Sequence, residues 1–502
     1  MGKVILGVGV IQLDRRKKTP LHRQLYEGIR RAILESKLER GSALPATRSL
    51  AKQLNISRMT VVNAYDQLLA EGYLTAHAGS GTFVNCNLPD DVKMARFSFG
   101  SAEEGAAMAP ISAGDSVQPK LSARGRRVAA TDEGMRPTYK DQPALFSLGI
   151  PALDEFPLDV WTKICRDRGR AISIFGLTYQ QASGWMPLRQ AICEFTKLFR
   201  GIKCHPEQVF VTAGIQQAID LTSRLLLDTG DTVLFEDPGY WRAREALKAN
   251  GAALLPLPVD ANGASIRSCG PPAESAKLIY ITPSHQFPLG VTMSIERRIE
   301  LLDWARRHDT AVIEDDYDSV YSYSQPPIPS LQGLDSSQRT FYMGSLSKLL
   351  FPALGMGYLI VPSSLVGAFE SAFKIVGRSP SLFMQQVVHD FIAHGHLERH
   401  MRRMRKIHEQ RHSALIEAID RFLPDKLQLV GAPAGLHRTA RILIDQPDTV
   451  LIEKIANIGF KVQALSIDSL TNSPDHNGLV FGFGCGTPKD ISAGIRRIAA
   501  VF

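Results

Sequence analysis

The chain of 502 residues is 44% hydrophobic and 22% charged with a net charge of +8, an ordinary globular balance that excludes a polyelectrolyte tail and allows roughly two to four domains. No apolar run approaches the roughly 18 residues of a membrane-spanning helix. Six scattered cysteines (Cys86, Cys165, Cys193, Cys204, Cys269 and Cys485) form no CxxC pair, which argues against a zinc site or a disulfide framework and predicts reduced thiols.

The apolar start Met1–Gly7 is too short for a secretory signal and runs into Asp14-Arg15-Arg16-Lys17-Lys18, so a cytoplasmic protein is expected. Residues 1–85 carry 13 Lys and Arg against 6 Asp and Glu, whereas the remainder is nearly balanced at 45 against 44. The basic excess therefore sits where a phosphate-binding module would. Leu21, Leu25, Ile29, Ile33 and Leu34 have helical spacing, with Pro20 suited to the helix start. A second helix follows Pro45 with Leu50, Ala51 and Leu54. Asn55-Ile56 makes a turn, and Ser57 caps a third helix bearing Val61, Ala64, Tyr65, Leu68 and Leu69. Gly72 ends it. Tyr73–Thr75 and Thr82–Val84 read as a hairpin around Gly79-Ser80-Gly81.

Two helices joined by a tight turn place the start of the second against base edges. Arg48 opens the first of that pair, and Arg58 and Thr60 open the second. Arg reads guanine or clamps phosphate, Thr does either more weakly, and glycines let the hairpin tip approach a groove.

From about 86 to 142 the periodicity fades into Gly, Ala, Ser, Pro and charge, as in Ser101-Ala102-Glu103-Glu104-Gly105, and this stretch is expected to be a linker. A small ordered piece is expected near Leu121–Gly125. The predicted division is 12–85 for the DNA-binding domain, 86–142 for the linker and 143–502 for an effector domain. Beyond Phe146, helices alternate with the apolar segments Val209–Val211, Thr232–Phe235, Leu278–Ile281, Ala311–Ile313 and Thr340–Met343. That alternation predicts an α/β fold with a mostly parallel central sheet, and the stretch beyond about 370 a small C-terminal subdomain.

Lys348 follows the last of these strands and the small residues Gly344 and Ser345, in a loop rather than on a solvated face. Asp315 ends an earlier strand, at the sheet edge where open α/β folds bind ligands. Asp316 or Asp318 would serve better as a helix cap there. Thr212-Ala213-Gly214-Ile215-Gln216-Gln217 leaves a strand and opens a helix, so its free backbone N–H groups suit an anion, and Ser345 adds a hydroxyl. Tyr240, after Asp237-Pro238-Gly239, offers an aromatic face. An amine, a carboxylate, an anion cradle and an aromatic face are together the groups that pyridoxal 5'-phosphate demands.

The run Leu44–Ala51, Ser57-Arg58-Met59-Thr60-Val61, Gly72-Tyr73-Leu74 and Gly79–Val84 resembles the GntR-type winged helix-turn-helix. The resemblance implies DNA contacts by Arg48, Arg58, Thr60 and Gly81. The stretches Glu236–Tyr240, Thr282–Gly290, Glu314–Ser319 and Ser345–Lys348 resemble the fold-type I aminotransferase-like domain of the MocR/GabR branch of those regulators. That resemblance implies Lys348 as the Schiff-base lysine and Asp315 as the partner of the ring nitrogen. Tyr317 would bond the ring hydroxyl with His285 nearby, and Tyr240 would lie at the ring. Gly214, Ile215, Gln216 and Ser345 would hold the phosphate. Arg242, Arg438 and Arg441 are candidate clamps for the carboxylate of an amino-compound effector. Partners implied are a double-stranded DNA operator and a second copy in a head-to-tail homodimer.

One departure stands out. Gly355, in Pro352–Tyr358, occupies the position where the family carries an arginine for the phosphate, and a lost charge-assisted hydrogen bond weakens binding by about 1.5–3 kcal/mol. Trp185 and Trp241 also differ from residues common in the family. A transcription regulator sensing an amino compound at Lys348 is the expected function. The alternatives are a catalytically active aminotransferase and a cofactor-free dimeric repressor.

Overall fold

The computed structural model describes residues 11, 13–17, 19–77, 81–86, 88, 120–130, 144–323, 328–377 and 379–502. The chain divides into two units, Met1–Val117 and Gln118–Phe502.

In the first unit, α1 (Leu21–Leu34), α2 (Thr47–Leu54) and α3 (Arg58–Ala70) surround one apolar core. Leu25, Ile29 and Ile33 of α1 are buried as their spacing predicts. So are Leu50 and Ala51 of α2, and Val61, Ala64, Tyr65 and Leu68 of α3. Asn55 takes the left-handed conformation that ends α2, and the Ser57 hydroxyl accepts from the backbone N–H of Thr60 at 3.1 Å to start α3. The Tyr65 hydroxyl donates to the carbonyl of Pro45 at 3.0 Å and ties the two helices together. Strands β1 (Leu74–His77) and β2 (Gly81–Val84) pair antiparallel, Leu74 opposite Val84. Gly79 and Ser80, the expected tip, lie outside the described residues. The segment Gly41–Leu44 adds a third strand-like edge: Leu44 N–H donates to the Thr82 carbonyl at 2.8 Å and Val84 N–H to the Ser42 carbonyl at 2.9 Å.

Most of the expected linker lies outside the described residues. The ordered piece expected near Leu121 is helix α4 (Ala123–Ala130).

Eight strands build the large sheet: β3 (Val209–Thr212), β4 (Thr232–Asp237), β5 (Ala253–Asp260), β6 (Gly263–Ala264), β7 (Leu278–Ile281), β8 (Ala311–Asp316), β9 (Thr340–Ser345) and β10 (Gly357–Ile360). Their order is β3-β10-β9-β8-β7-β4-β5-β6. All pairs among β5, β4, β7, β8 and β9 are parallel, while β10 runs against both neighbours and β6 against β5. The central strands are buried on both faces, so they read as continuous apolar runs rather than alternating ones. The five expected strands are all present, several extended by one to three polar residues at the C-terminal edge, where the site lies. A second sheet of β11 (Leu427–Val430), β12 (His437–Ile442), β13 (Gln463–Ala464) and β14 (Gly478–Gly482), in the order β11-β12-β14-β13, forms the expected C-terminal subdomain. The long helix His396–Phe422 packs against it. All six cysteines are free thiols.

Candidate cofactor and DNA-binding sites

Strand alternation sorts the acidic run at the end of β8 into different tasks. Glu314 and Asp316 point to one face, where each meets a buried arginine. Arg200 Nε lies 2.6 Å from Asp316, which also accepts from the Tyr342 hydroxyl at 2.6 Å. Arg298 lies 3.8 Å from Glu314, whose oxygens accept from the N–H groups of Leu331 and Gln332. Asp316 therefore holds a structural ion pair and caps no helix, contrary to the expectation. Asp315 points to the other face. One of its oxygens accepts from the Tyr280 hydroxyl at 2.6 Å, while Oδ1 is buried with no partner. Burial pushes this carboxyl up to about 7.

Lys348 sits in the short helix Leu346–Leu349, started by the Ser345 hydroxyl accepting from the Lys348 N–H at 3.3 Å. The Lys348 amine donates to the carbonyl of Gly149 at 2.8 Å. Burial lowers this amine to about 8, against the pull of Asp318 and Asp315. An amine lowered so far offers more of its neutral, nucleophilic form near pH 7. Asp318, also expected as a helix cap, instead accepts from His285 Nδ1 at 3.1 Å and from the Leu436 N–H at 3.1 Å. The Tyr317 hydroxyl donates to the His285 carbonyl at 2.9 Å, and His437 Nε2 donates to the Pro288 carbonyl at 3.0 Å. His285, Asp318 and His437 are close enough together for a metal ion, but each ring nitrogen or oxygen in those bonds is already engaged, and His285 Nε2 is left buried and unbonded.

The cradle is Gly214 at the N-cap of helix α5 (Ile215–Leu226), with Ile215 and Gln216 in the first turn. Thr212, fully buried just before it, has a hydroxyl with no partner. The reversed strand β10 brings this cradle to the lysine, since Gly357 pairs with both Thr212 and Ser345. Gly355 lies just before that pairing in the left-handed conformation (φ 57°), and a Cβ built on it meets nothing within 4 Å. An arginine there would have space, and this chain does not place one.

Tyr240 ends the turn before helix Trp241–Ala249 and meets the Phe287 ring edge-on at 5.4 Å. Burial pushes its hydroxyl up to about 12. The Arg242 guanidinium packs over Trp241 at 4.9 Å, and its charge reaches Lys348. Arg438 is buried in β12 and donates to the Ala432 carbonyl at 2.7 Å, whereas Arg441, three residues on, is exposed on the opposite face. The two do not form one clamp. Trp185 donates its N–H to Gln385 at 2.7 Å and meets the His389 ring at 5.1 Å.

Sequence reasoning missed Tyr280, Glu236 and His437. Glu236 is buried, accepts from the Thr282 N–H at 3.0 Å and hydroxyl at 2.7 Å, and is pushed up to about 8 by burial. Only the register of β4, β7 and β8 could have revealed Tyr280 and Glu236, and His437 comes from β12 of the second sheet. Lys348, Asp315, Tyr317, His285 and Ser345 are brought together at the sheet edge. The unpartnered oxygens of Asp315 and Thr212, the lowered amine and the helix N-terminus fit a pyridoxal phosphate group, apart from the phosphate arginine.

In the first unit, Arg48 and Arg58 are exposed at the starts of α2 and α3, and Gly81 is exposed at the start of β2. The Thr60 hydroxyl lies 2.8 Å from that of Ser57, so it is shared with the helix cap.

Residues 21–84 match the model for bacterial regulatory proteins of the gntR family, and residues 147–438 that for aminotransferases of class I and II. The chain is 38% identical to the probable rhizopine catabolism regulatory protein MocR of Rhizobium meliloti, across 98% of this chain and 96% of that one. It is 31% identical to the pyridoxine biosynthesis transcriptional regulator PdxR of Corynebacterium glutamicum, across 94% of each. A kynurenine aminotransferase of Pyrococcus horikoshii shares the fold over 76% of this chain and 95% of its own, with a TM-score of 0.67 at 24% identity. The class I and II aminotransferase fold implies pyridoxal phosphate binding in the family, and the gntR-type domain implies binding to DNA. The chain belongs to the MocR/GabR-type transcription regulators, in which a GntR helix-turn-helix domain is fused to a class I and II aminotransferase domain.

Proposed function

We propose that this chain is a pyridoxal-phosphate-dependent regulator that senses an amino compound at Lys348 and reports it to an operator bound by residues 12–85. The observation that carries the reading is the pairing of a buried lysine, lowered to about 8, with a buried Asp315 oxygen that has no partner in the protein. When bound, the cofactor supplies an aldehyde that joins amines and a ring that withdraws electrons. Lys348 Nζ would be the resident amine, and an effector amine would compete with it for that aldehyde. Asp315 would hold a proton on the ring nitrogen, a positive neighbour that would return its raised carboxyl to the ionised form. Tyr317 and His285 would bond the ring hydroxyl, Tyr240 would lie at the ring, and Gly214, Ile215, Gln216 and Ser345 would hold the phosphate. Arg242 and Arg438 are the clamps for an effector carboxylate, and Arg441 is set aside by its exposure. Arg48, Arg58, Thr60 and Gly81 face the operator.

A ligand shifts such a regulator only through unequal affinity for its two states. A homodimer, head to tail, matches the two half-sites read by paired winged helices. The exposed Ile172, Ile174, Leu177 and Tyr179 of one segment supply apolar surface for a second copy to cover. A cytoplasmic location goes with the proposed operator binding, and no helix among the described residues is long and apolar enough to cross a membrane.

The test is the visible absorbance of the imine formed when pyridoxal phosphate is added, in wild type and in Lys348→Ala. Wild type is expected to develop the band and the variant to lack it. Identical spectra would overturn the Lys348 assignment. A panel of amino compounds then reads the effector as a change in both the band and operator affinity, and steady turnover with a keto acid would favour an active aminotransferase.

A further inference from the structure

Lys348 Nζ bonds to a carbonyl, Gly149, that belongs to no part of the cofactor cradle. That carbonyl sits in a strap, residues 144–156, which is the first described segment after residues 131–143 and so continues the connection to the DNA-binding unit. The strap is anchored at both ends and half-exposed between them. At its start, Phe146 (φ 70°) is fully buried against Phe460 and Phe481, and its carbonyl accepts from the Gly482 N–H at 3.0 Å. At its end, the Ala152 N–H donates to His408 Nε2 at 3.1 Å, and Asp154 receives Arg411 at 2.6 Å. His408 and Arg411 lie on the long helix His396–Phe422, which also holds the lysine's own loop, since His400 Nε2 donates to the Leu349 carbonyl at 3.1 Å.

Between these anchors, Gly149 takes φ 68°, and a Cβ on it would fall on Lys348 Nζ. The glycine is required twice, for its backbone conformation and for the amine's approach. The middle of the strap is thus held down by a side chain whose amine is also the group that joins an aldehyde.

We propose that the 144–156 strap reports the state of Lys348: it is fastened when the Lys348 amine is free to donate to Gly149 and released when that nitrogen is committed elsewhere. Joining an aldehyde would expel its oxygen as water with two of the amine's hydrogens, leaving Nζ at most one N–H and committing it to the new linkage rather than to Gly149. Gly149 then loses its charge-assisted bond, and the strap between Ser147 and Ala152 loosens. An amine that displaces the lysine returns Nζ to Gly149 and fastens the strap again. The signal leaves the site along the chain that leads back toward residues 12–85. The release step rests on the proposed linkage at Lys348; the fastening by the free lysine does not.

Amide hydrogen exchange of peptides covering 144–156 in the full-length protein tests both parts. Cofactor-free wild type is expected to exchange slowly, and Lys348→Ala about tenfold faster in the strap, with His396–Phe422 unchanged. Gly149→Ala, whose Cβ displaces the amine, is expected to match Lys348→Ala. Adding pyridoxal phosphate to wild type is expected to speed exchange as the imine band appears, and to leave Lys348→Ala unchanged. Equal exchange in cofactor-free wild type and both variants overturns the fastening. A full imine band with no faster exchange overturns the release. Absence of the band defeats the linkage at Lys348, while the comparison of cofactor-free proteins still decides the fastening.

Discussion

The two units put their functional residues in opposite environments. The winged helix keeps its core apolar and leaves Arg48 and Arg58 exposed, as the proposed contact with a phosphate or base edge requires. The aminotransferase-like unit buries Arg200, Arg298, Glu314, Asp315, Asp316 and His285 at one sheet edge, because a lysine has to be stripped of water before its amine becomes reactive. A buried charge must be matched or it destabilises the fold, so this second design spreads its function through the core.

The contrast breaks most sharply at Arg200. Arg200→Ala leaves Asp316 buried without its cation and is expected to destabilise the large unit by about 3–5 kcal/mol in urea unfolding. A loss below 1 kcal/mol would mean that the pair contributes little to the fold.

The second expectation concerns pH. Burial raises Asp315 to about 7, and Glu236 and Asp468 to about 8. Between pH 6.5 and those values the folded state binds more protons than the unfolded chain. Cofactor-free stability therefore falls as pH rises, by about 1.4 kcal/mol per pH unit for each of these acids. Below 6.5, His400 and His412, lowered to about 4, and His408, lowered to about 3, act with the opposite sign, because the unfolded chain takes up protons that these buried rings refuse. The stability curve is expected to flatten there and to decline from 6.5 to 8. A rise over 6.5–8 contradicts the burial of these acids.

Third, Gly355→Arg supplies the absent cation where a side chain has room. Absorbance titration should show pyridoxal phosphate binding about ten- to hundredfold tighter, while the left-handed arginine lowers fold stability by about 1 kcal/mol. Unchanged affinity would show that another group already holds the phosphate. The smallest effect on folding belongs to the first unit. Arg58→Ala should change stability by less than about 0.5 kcal/mol, yet weaken operator binding by about 1–3 kcal/mol in an anisotropy titration. Intact binding would remove Arg58 from the interface.

What could be read in the sequence follows the same division. The three helices of the winged domain, Ser57 at its cap, and the placement of Asp315 at a strand end are local patterns, visible as spacing and small neighbours, whereas Lys348, expected in a loop, lies in the short helix Leu346–Leu349. The third wing strand, Gly41–Leu44, has no alternation to betray it. Tyr280, Glu236, His437 and the strap with Gly149 gain their meaning from partners far away in the chain. The helix-cap readings of Asp316 and Asp318 failed for that reason: the Arg200 and His285 that claim them come from other elements.

The reversed strand β10 carries a consequence in time. β3, with the Gly214 cradle after it, touches the large sheet only through β10. On a ribosome the winged helix has all its strands once Val84 has emerged, whereas β3 has no strand partner in the large sheet until β10, ending at Ile360, is made. A nascent chain thus completes its winged helix long before its large sheet, and truncated products ending short of β10 would carry the first unit beside a sheet that lacks β3.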